Sequence, residues 1–183
     1  MTLIATLRHR AALCGQVVDS LTGLGIPEAR VRVTPGGILT HTRPDGSYGV
    51  TDLPDGAYDL IATVPRLGTR YGTVTVGAVT VASDPDGRPR LTPARLALPP
   101  TCLAGRVRHA DTLAAIPFAS LWLRASGEGV LADAAGVYRF AAIEAGAQTL
   151  IVSARGFVTS ALQVEPAAGL EVMMDIELTP DRP

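Results

Sequence analysis

The chain has 183 residues, 47% of them hydrophobic and 18% charged, with a formal net charge of −1. That length can bury one large core or two cores of small-domain size. The near-neutral balance, without a run of basic residues, excludes the electrostatic footprint that nucleic acid demands. Every apolar run is broken by Gly, Pro, Arg or Asp before it is long enough for membrane insertion.

The first twelve residues read as an N-terminal arm. Arg8, His9 and Arg10 follow a few apolar residues, the reverse of the order in a secretory signal, so the chain is expected to be made and to fold in the cytoplasm. Its two cysteines, Cys14 and Cys102, are then expected to be reduced and to pack as small hydrophobes. The basic residues are all Arg, and the sequence contains neither Lys nor Asn. Lysine Schiff bases, a P-loop lysine, N-linked glycans and Lys–Asn isopeptide bonds are thereby excluded.

From Leu13 onward the period is two. Ala29, Val31 and Val33 alternate with Glu28, Arg30 and Arg32, which places one set in a core and the other toward solvent. Similar runs follow at Tyr48–Val50, Tyr58–Ala62, Thr73–Val76, Val79–Val81 and Leu96–Leu98. Pro44-Asp45-Gly46, Pro54-Asp55-Gly56 and Pro85-Asp86-Gly87 separate them. In such turns Pro presets φ, Asp bonds locally and Gly accepts positive φ. No segment sustains a helical stripe.

After Pro99-Pro100-Thr101, a short and stiff link, the pattern starts again. Sliding the chain by ninety positions pairs Leu13 with Leu103, Gly15 with Gly105, Val17 with Val107, Ile26-Pro27 with Ile116-Pro117, Gly46 with Gly136 and Tyr48 with Tyr138. Chance apolar pairing does not keep glycines, prolines and tyrosines in register. Where copy one has Asp45 and Asp55, copy two has Ala135 and Ala145, so those turns need the glycine more than the acid. The reading is all-β: two tandem seven-stranded antiparallel β-sandwiches, at 13–99 and 102–179.

The run Gly15-Gln16-Val17-Val18-Asp19, Thr22-Gly23, Ile26-Pro27-Glu28-Ala29-Arg30-Val31-Arg32-Val33, Pro44-Asp45-Gly46-Ser47-Tyr48 and Leu53-Pro54-Asp55-Gly56-Ala57-Tyr58 resembles the carboxypeptidase regulatory-like domain family. Copy two resembles it through fewer residues: Gly105-Arg106-Val107, Ile116-Pro117-Phe118-Ala119 and Ala135-Gly136-Val137-Tyr138-Arg139-Phe140. The resemblance implies transthyretin-like, Ig-like sandwiches and says little of function. Leu67-Gly68-Thr69-Arg70-Tyr71-Gly72 and Ser126-Gly127-Glu128 are similar to stretches of regulatory-like proteins of phage-tail-like contractile injection particles. That similarity implies an accessory subunit of an assembly released from the cell.

Catalytic patterns are missing. His9, His41 and His109 belong to no HxxE, HExxH or HxH spacing and there is no CxxC, so no metal site is expected. None of the serines lies in a GxSxG elbow, and no GxGxxG or P-loop occurs, so no cofactor is expected. The chain ends Leu178-Thr179-Pro180-Asp181-Arg182-Pro183, without the Tyr-Arg-Gly-Ser signature by which hydroxyisourate hydrolases resemble one another. Asp84 and Asp86 read as an ordinary turn, because the ligand run and terminal Glu of a calcium loop are absent.

Surfaces remain. The outward residues Glu28, Arg30 and Arg32 of copy one become Phe118, Ser120 and Trp122 in copy two, and an apolar sheet face with Trp usually meets a partner. The extra residues 65–72 form an inserted loop, where Arg70 and Tyr71 are the expected contacts. The reading is a non-catalytic adaptor that binds protein subunits through Phe118, Trp122, Arg70 and Tyr71. The alternative is a carbohydrate-binding module with Trp122 against a sugar ring.

Overall fold

A computed structural model describes residues 10–87 and 90–181. The described residues form two compact units: residues up to Arg66 with Thr73–Leu98, and Leu67–Gly72 with residues from Pro99 onward. The partition is thus not colinear, as modules at 13–99 and 102–179 would be. Residues 67–72 lie within the first module's sequence yet group with the second unit. The arm expected at residues 1–12 lies largely outside the described residues, and its last two residues already belong to the first strand.

The first unit has seven strands: β1 (Ala11–Asp19), β2 (Arg30–Thr34), β3 (Ile38–His41), β4 (Ser47–Thr51), β5 (Gly56–Thr63), β6 (Val74–Val81) and β7 (Thr92–Leu98). They make two sheets, in the orders β4-β1-β7 and β3-β2-β5-β6. The second unit repeats this with β8 (Cys102–His109), β9 (Ser120–Leu123), β10 (Gly129–Leu131), β11 (Val137–Ala141), β12 (Gln148–Ser153) and β13 (Ser160–Val164). Its last strand is interrupted, giving β14 (Glu171–Met173) and β15 (Ile176–Leu178). The only helical piece among the described residues is a single 3-10 turn at Pro65–Leu67.

Alternation fills each core. Ala29, Val31, Val33, Leu60, Ala62, Leu96 and Leu98 are buried in the first unit. Ala119, Leu121, Leu123, Leu150, Val152, Ile176 and Leu178 are their counterparts in the second. Each fully buried Val, Leu or Ile side chain among them contributes about 1.5–3 kcal/mol through water exclusion. Cys102 is buried and Cys14 half-buried, and neither is bridged.

Pairing departs from the wholly antiparallel sandwich in one respect. The last strand of each unit runs parallel to the first: β7 beside β1, with Gly15 opposite Ala94, and β14 and β15 beside β8. Burial alternates in the same way for either direction, so the sequence pattern carries no sign of it. The cause lies in the connections: β6 and β13 leave one sheet, and the chain enters the other sheet alongside its first strand.

At that seam the two backbones touch. A Cβ on Gly15 would lie 1.7 Å from the Ala94 carbonyl oxygen, and one on Gly105 would lie 1.9 Å from that of Met174. The same two carbonyls accept hydrogen bonds from tyrosines on the neighbouring strand, Tyr48 Oη at 2.8 Å and Tyr138 Oη at 2.7 Å. The repeat is therefore a repeat of backbone detail. Left-handed φ recurs at equivalent positions, Glu28 and Phe118, Asp52 and Ala142, and Gly46 and Gly136. Only the last pair was legible as glycine. At the turn with Gly56 and Gly146 the expectation holds for one copy alone, since Gly146 has φ +100° whereas Gly56 keeps a negative φ.

Burial pushes the Tyr48 phenol up to about 12, with the nearby Cys14 adding to the shift; burial first and Asp175 second also push Tyr138 upward. A folded value above the unfolded one, 10.0, means stability that is complete below pH 10 and lost as pH rises toward 12. Tyr48→Phe should cost about 1 kcal/mol at neutral pH and flatten the alkaline fall in stability. Gly15→Ala should cost about 3 kcal/mol or more, because backbone blocks the new methyl. Urea unfolding followed by circular dichroism from pH 7 to 12 measures both, and an alkaline slope unaltered by Tyr48→Phe would contradict the seam's role.

Candidate functional site

The second unit's outer sheet face is built on β9. Leu121 and Leu123 point inward and are fully buried, so Ser120 and Trp122 point outward. Trp122 lies between Gly129 of β10 and Ile151 of β12, and Ala161 of β13 follows Ile151 in the same row. Because Gly129 has no side chain, the indole is uncovered on that flank and is 44% exposed. In the adjacent row Leu131 lies opposite Ser120 and is 67% exposed. Phe118, at φ +57°, donates its N–H to the Ala132 carbonyl and is 68% exposed. An apolar cluster therefore stands where the first unit presents Arg30 and Arg32.

Arg70 and Tyr71 lie in a different setting from the open loop the sequence suggests. The segment Leu67–Gly72 is laced into the second unit. Thr101 donates its N–H to the Arg70 carbonyl and its hydroxyl to the Thr69 carbonyl, at 2.8 and 2.7 Å. Gly72 N–H donates to the Pro99 carbonyl, and Tyr71 makes a bridge with Pro100. Glu144 Oε2 accepts from the Thr69 N–H and hydroxyl, at 3.0 and 2.7 Å.

The Arg70 guanidinium sits between two carboxylates. Its Nη1 is bonded to Glu128 Oε1 and, at 2.6 Å, to the Ala142 carbonyl, while Nε lies 3.2 Å from Glu144 Oε1. The bond to Glu128 is the main cause that holds the Arg70 proton still more firmly than usual. The Thr69 hydroxyl, its N–H and then Arg70 hold the Glu144 carboxyl below the ordinary glutamate value. Glu128 in turn belongs to the β9–β10 hairpin: its carbonyl accepts from Leu123 N–H at 2.8 Å, and its second carboxylate oxygen accepts from Ser126 at 2.9 Å. Arg70 thus fastens the hairpin that carries Trp122. Sequence reasoning found Arg70 but did not join it to Glu128, Glu144 and Thr101, since no local pattern joins groups as much as 75 residues apart.

The remaining titratable candidates are separated. His41 is exposed on β3, and His109 Nδ1 accepts from Asp111 N–H at 3.1 Å while its ring meets Phe157 edge-on. His9 lies outside the described residues. Asp84 accepts from Asp86 N–H, as in a local Asp turn. Among the described residues no three His, Cys, Asp or Glu side chains converge as a metal site would need, and no helix is long and apolar enough to cross a membrane.

Comparison with known proteins places the domain type. Residues 103–179 match the carboxypeptidase regulatory-like domain family, although copy one carries more of the motif residues. No curated protein sequence matches the chain. Among solved structures, it is similar to the Bacillus anthracis TIE protein at 15% identity and TM-score 0.43, covering 93% of this chain and only 34% of that one. The shaft pilin SpaA from Lactobacillus rhamnosus GG aligns at 9% identity and TM-score 0.43, covering 96% and 99%. GBS52, the minor pilin of Streptococcus agalactiae, aligns at 14% and 0.37, covering 93% and 96%. The second unit is where the domain family itself is matched.

Proposed function

We propose that this protein is a non-catalytic structural or adaptor subunit that joins a larger protein assembly through the outer β9 face of its second sandwich. The observation that carries the reading is the exposure of Trp122 together with Phe118 and Leu131 around a single hairpin. Leaving large apolar groups in water is unfavourable, and covering them with a partner recovers that free energy. Trp is favoured where such covering is energetically concentrated. Arg70 and Tyr71 serve this surface from the side: the strap 67–72 positions the hairpin through Glu128, which limits the conformational freedom lost on docking.

The finer reading is that the assembly is a phage-tail-like contractile injection particle, with the chain made in the cytoplasm and released with the particle. What supports it is that the two stretches similar to particle proteins, Leu67–Gly72 and Ser126–Glu128, are the two ends of one ion pair, Arg70 with Glu128. Trp122 is the sole tryptophan, so the glycan alternative rests on a single indole.

Particles purified from the native host should contain the chain, and Trp122→Ala or Phe118→Ala should weaken its incorporation by about 2 kcal/mol, the scale of an interface hot spot. Quantitative mass spectrometry of the particle reads this. Incorporation of both variants at wild-type level excludes the face, and Trp122-dependent retention on a polysaccharide array establishes the glycan alternative instead.

Arg70→Ala should destabilise the second unit by about 1–2 kcal/mol, because two partly exposed carboxylates lose their shared cation and the Ala142 carbonyl loses a donor. Trp122, the sole tryptophan, reports that unit alone by fluorescence. Since the Glu144 value is depressed in the folded state, its contribution is present above pH 4.5 and lost as pH falls through the folded value. Trp122-monitored stability should therefore decline in acid, and less steeply in Glu144→Gln.

A further inference from the structure

The first unit carries on its equivalent face a feature that the proposed docking surface does not use. Arg30 and Arg32 point outward from β2 on either side of buried Val31. Arg30 lies opposite His41 of β3 and Thr63 of β5, and Arg32 opposite Leu39 and Ile61. Arg30, Arg32, Ile61 and Thr63 line a cleft of about 270 Å³. Neither arginine has an ion-pair partner among the described residues. The acids that come nearest in the strand pattern are engaged elsewhere. Asp59, two residues along β5 from Ile61, accepts from Ala78 N–H at 3.0 Å, and Glu28 is paired with Arg66.

One donor stands out. Arg30 Nε is shut off from solvent and has no hydrogen-bond partner. A buried guanidinium donor left unmet is costly, and folded proteins rarely leave one so without a reason. Rotation of the guanidinium into the cleft would meet that need once an oxyanion is present, through the two-pronged geometry by which arginine holds a carboxylate.

We infer that the Arg30–Arg32 cleft is a binding site for an acidic, extended segment of a protein partner. The spacing selects the ligand. Outward side chains two residues apart on a strand are separated by about 7 Å, and so are alternate carboxylates of an extended peptide. Two arginines on one strand therefore match two acidic residues at i and i+2, while Ile61 and the half-exposed Leu39 receive the stem atoms and the residue between. A lone phosphate could span only one arginine, and it gains nothing from the apolar rim. The cleft is lined by none of the residues of the Trp122 face.

Isothermal titration calorimetry on the full chain tests this with acetyl-Glu-Val-Glu-Val-Glu-amide as the probe. The expected result is saturable binding that weakens with salt, disappears with the Gln-for-Glu peptide, and falls about tenfold or more in either Arg30→Gln or Arg32→Gln. Circular dichroism confirms that the variants keep the fold. Trp122→Ala should bind the peptide as the wild type does, so failure of this site and failure of the docking face are read separately. Absence of peptide binding, binding indifferent to both arginine substitutions, or tighter binding of inorganic phosphate than of the peptide would each overturn the inference.

Discussion

Each sandwich depends on a seam where the first and last strands run side by side and a carbonyl is pressed against a glycine. At Gly15 and Gly105 there is no room for a methyl group, and the tyrosine hydroxyl that donates to the same carbonyl closes the gap from the other side. Close approach, hydrogen bond and aromatic burial are thus satisfied by one small set of atoms. This contact brings Leu96 and Leu98, or Ile176 and Leu178, under the opposite sheet. Without it neither core closes, and the outer faces that carry Arg32 or Trp122 have no rigid support.

The duplication was legible because interior constraints are expensive to vary. Buried positions tolerate few volumes, and the glycines at the seam tolerate no side chain, so both copies keep them in register. The alternation of Ala29, Val31 and Val33 with arginines likewise announced which side of β2 is wet. Strand direction was not legible, since a parallel last strand buries alternate residues as an antiparallel one does. The left-handed residues Glu28 and Phe118 were equally hidden, because neither is the glycine that normally signals such a backbone.

The strap is the instructive difference. Residues 65–72 have the composition of an open loop, which by itself offers Arg70 to a partner. In the structure its charge is met within the second unit by Glu128 and Glu144. What the sequence could not supply was the folded proximity of acids far along the chain. Arginine's value as a recognition residue and as an internal fastener comes from the same planar donor fork, so residue type alone does not distinguish the two uses.

Outward positions show the opposite economy from the core. They meet no packing constraint within their own unit, so duplication leaves them free to diverge: Arg32 in one copy stands where Trp122 stands in the other. A guanidinium with no ion-pair partner among the described residues and an indole 44% exposed are both incomplete in isolation, for different physical reasons. One needs an opposite charge, and the other needs removal from water. The two faces of one repeated pattern thus differ in chemistry, and the two proposed binding surfaces ask for chemically different companions.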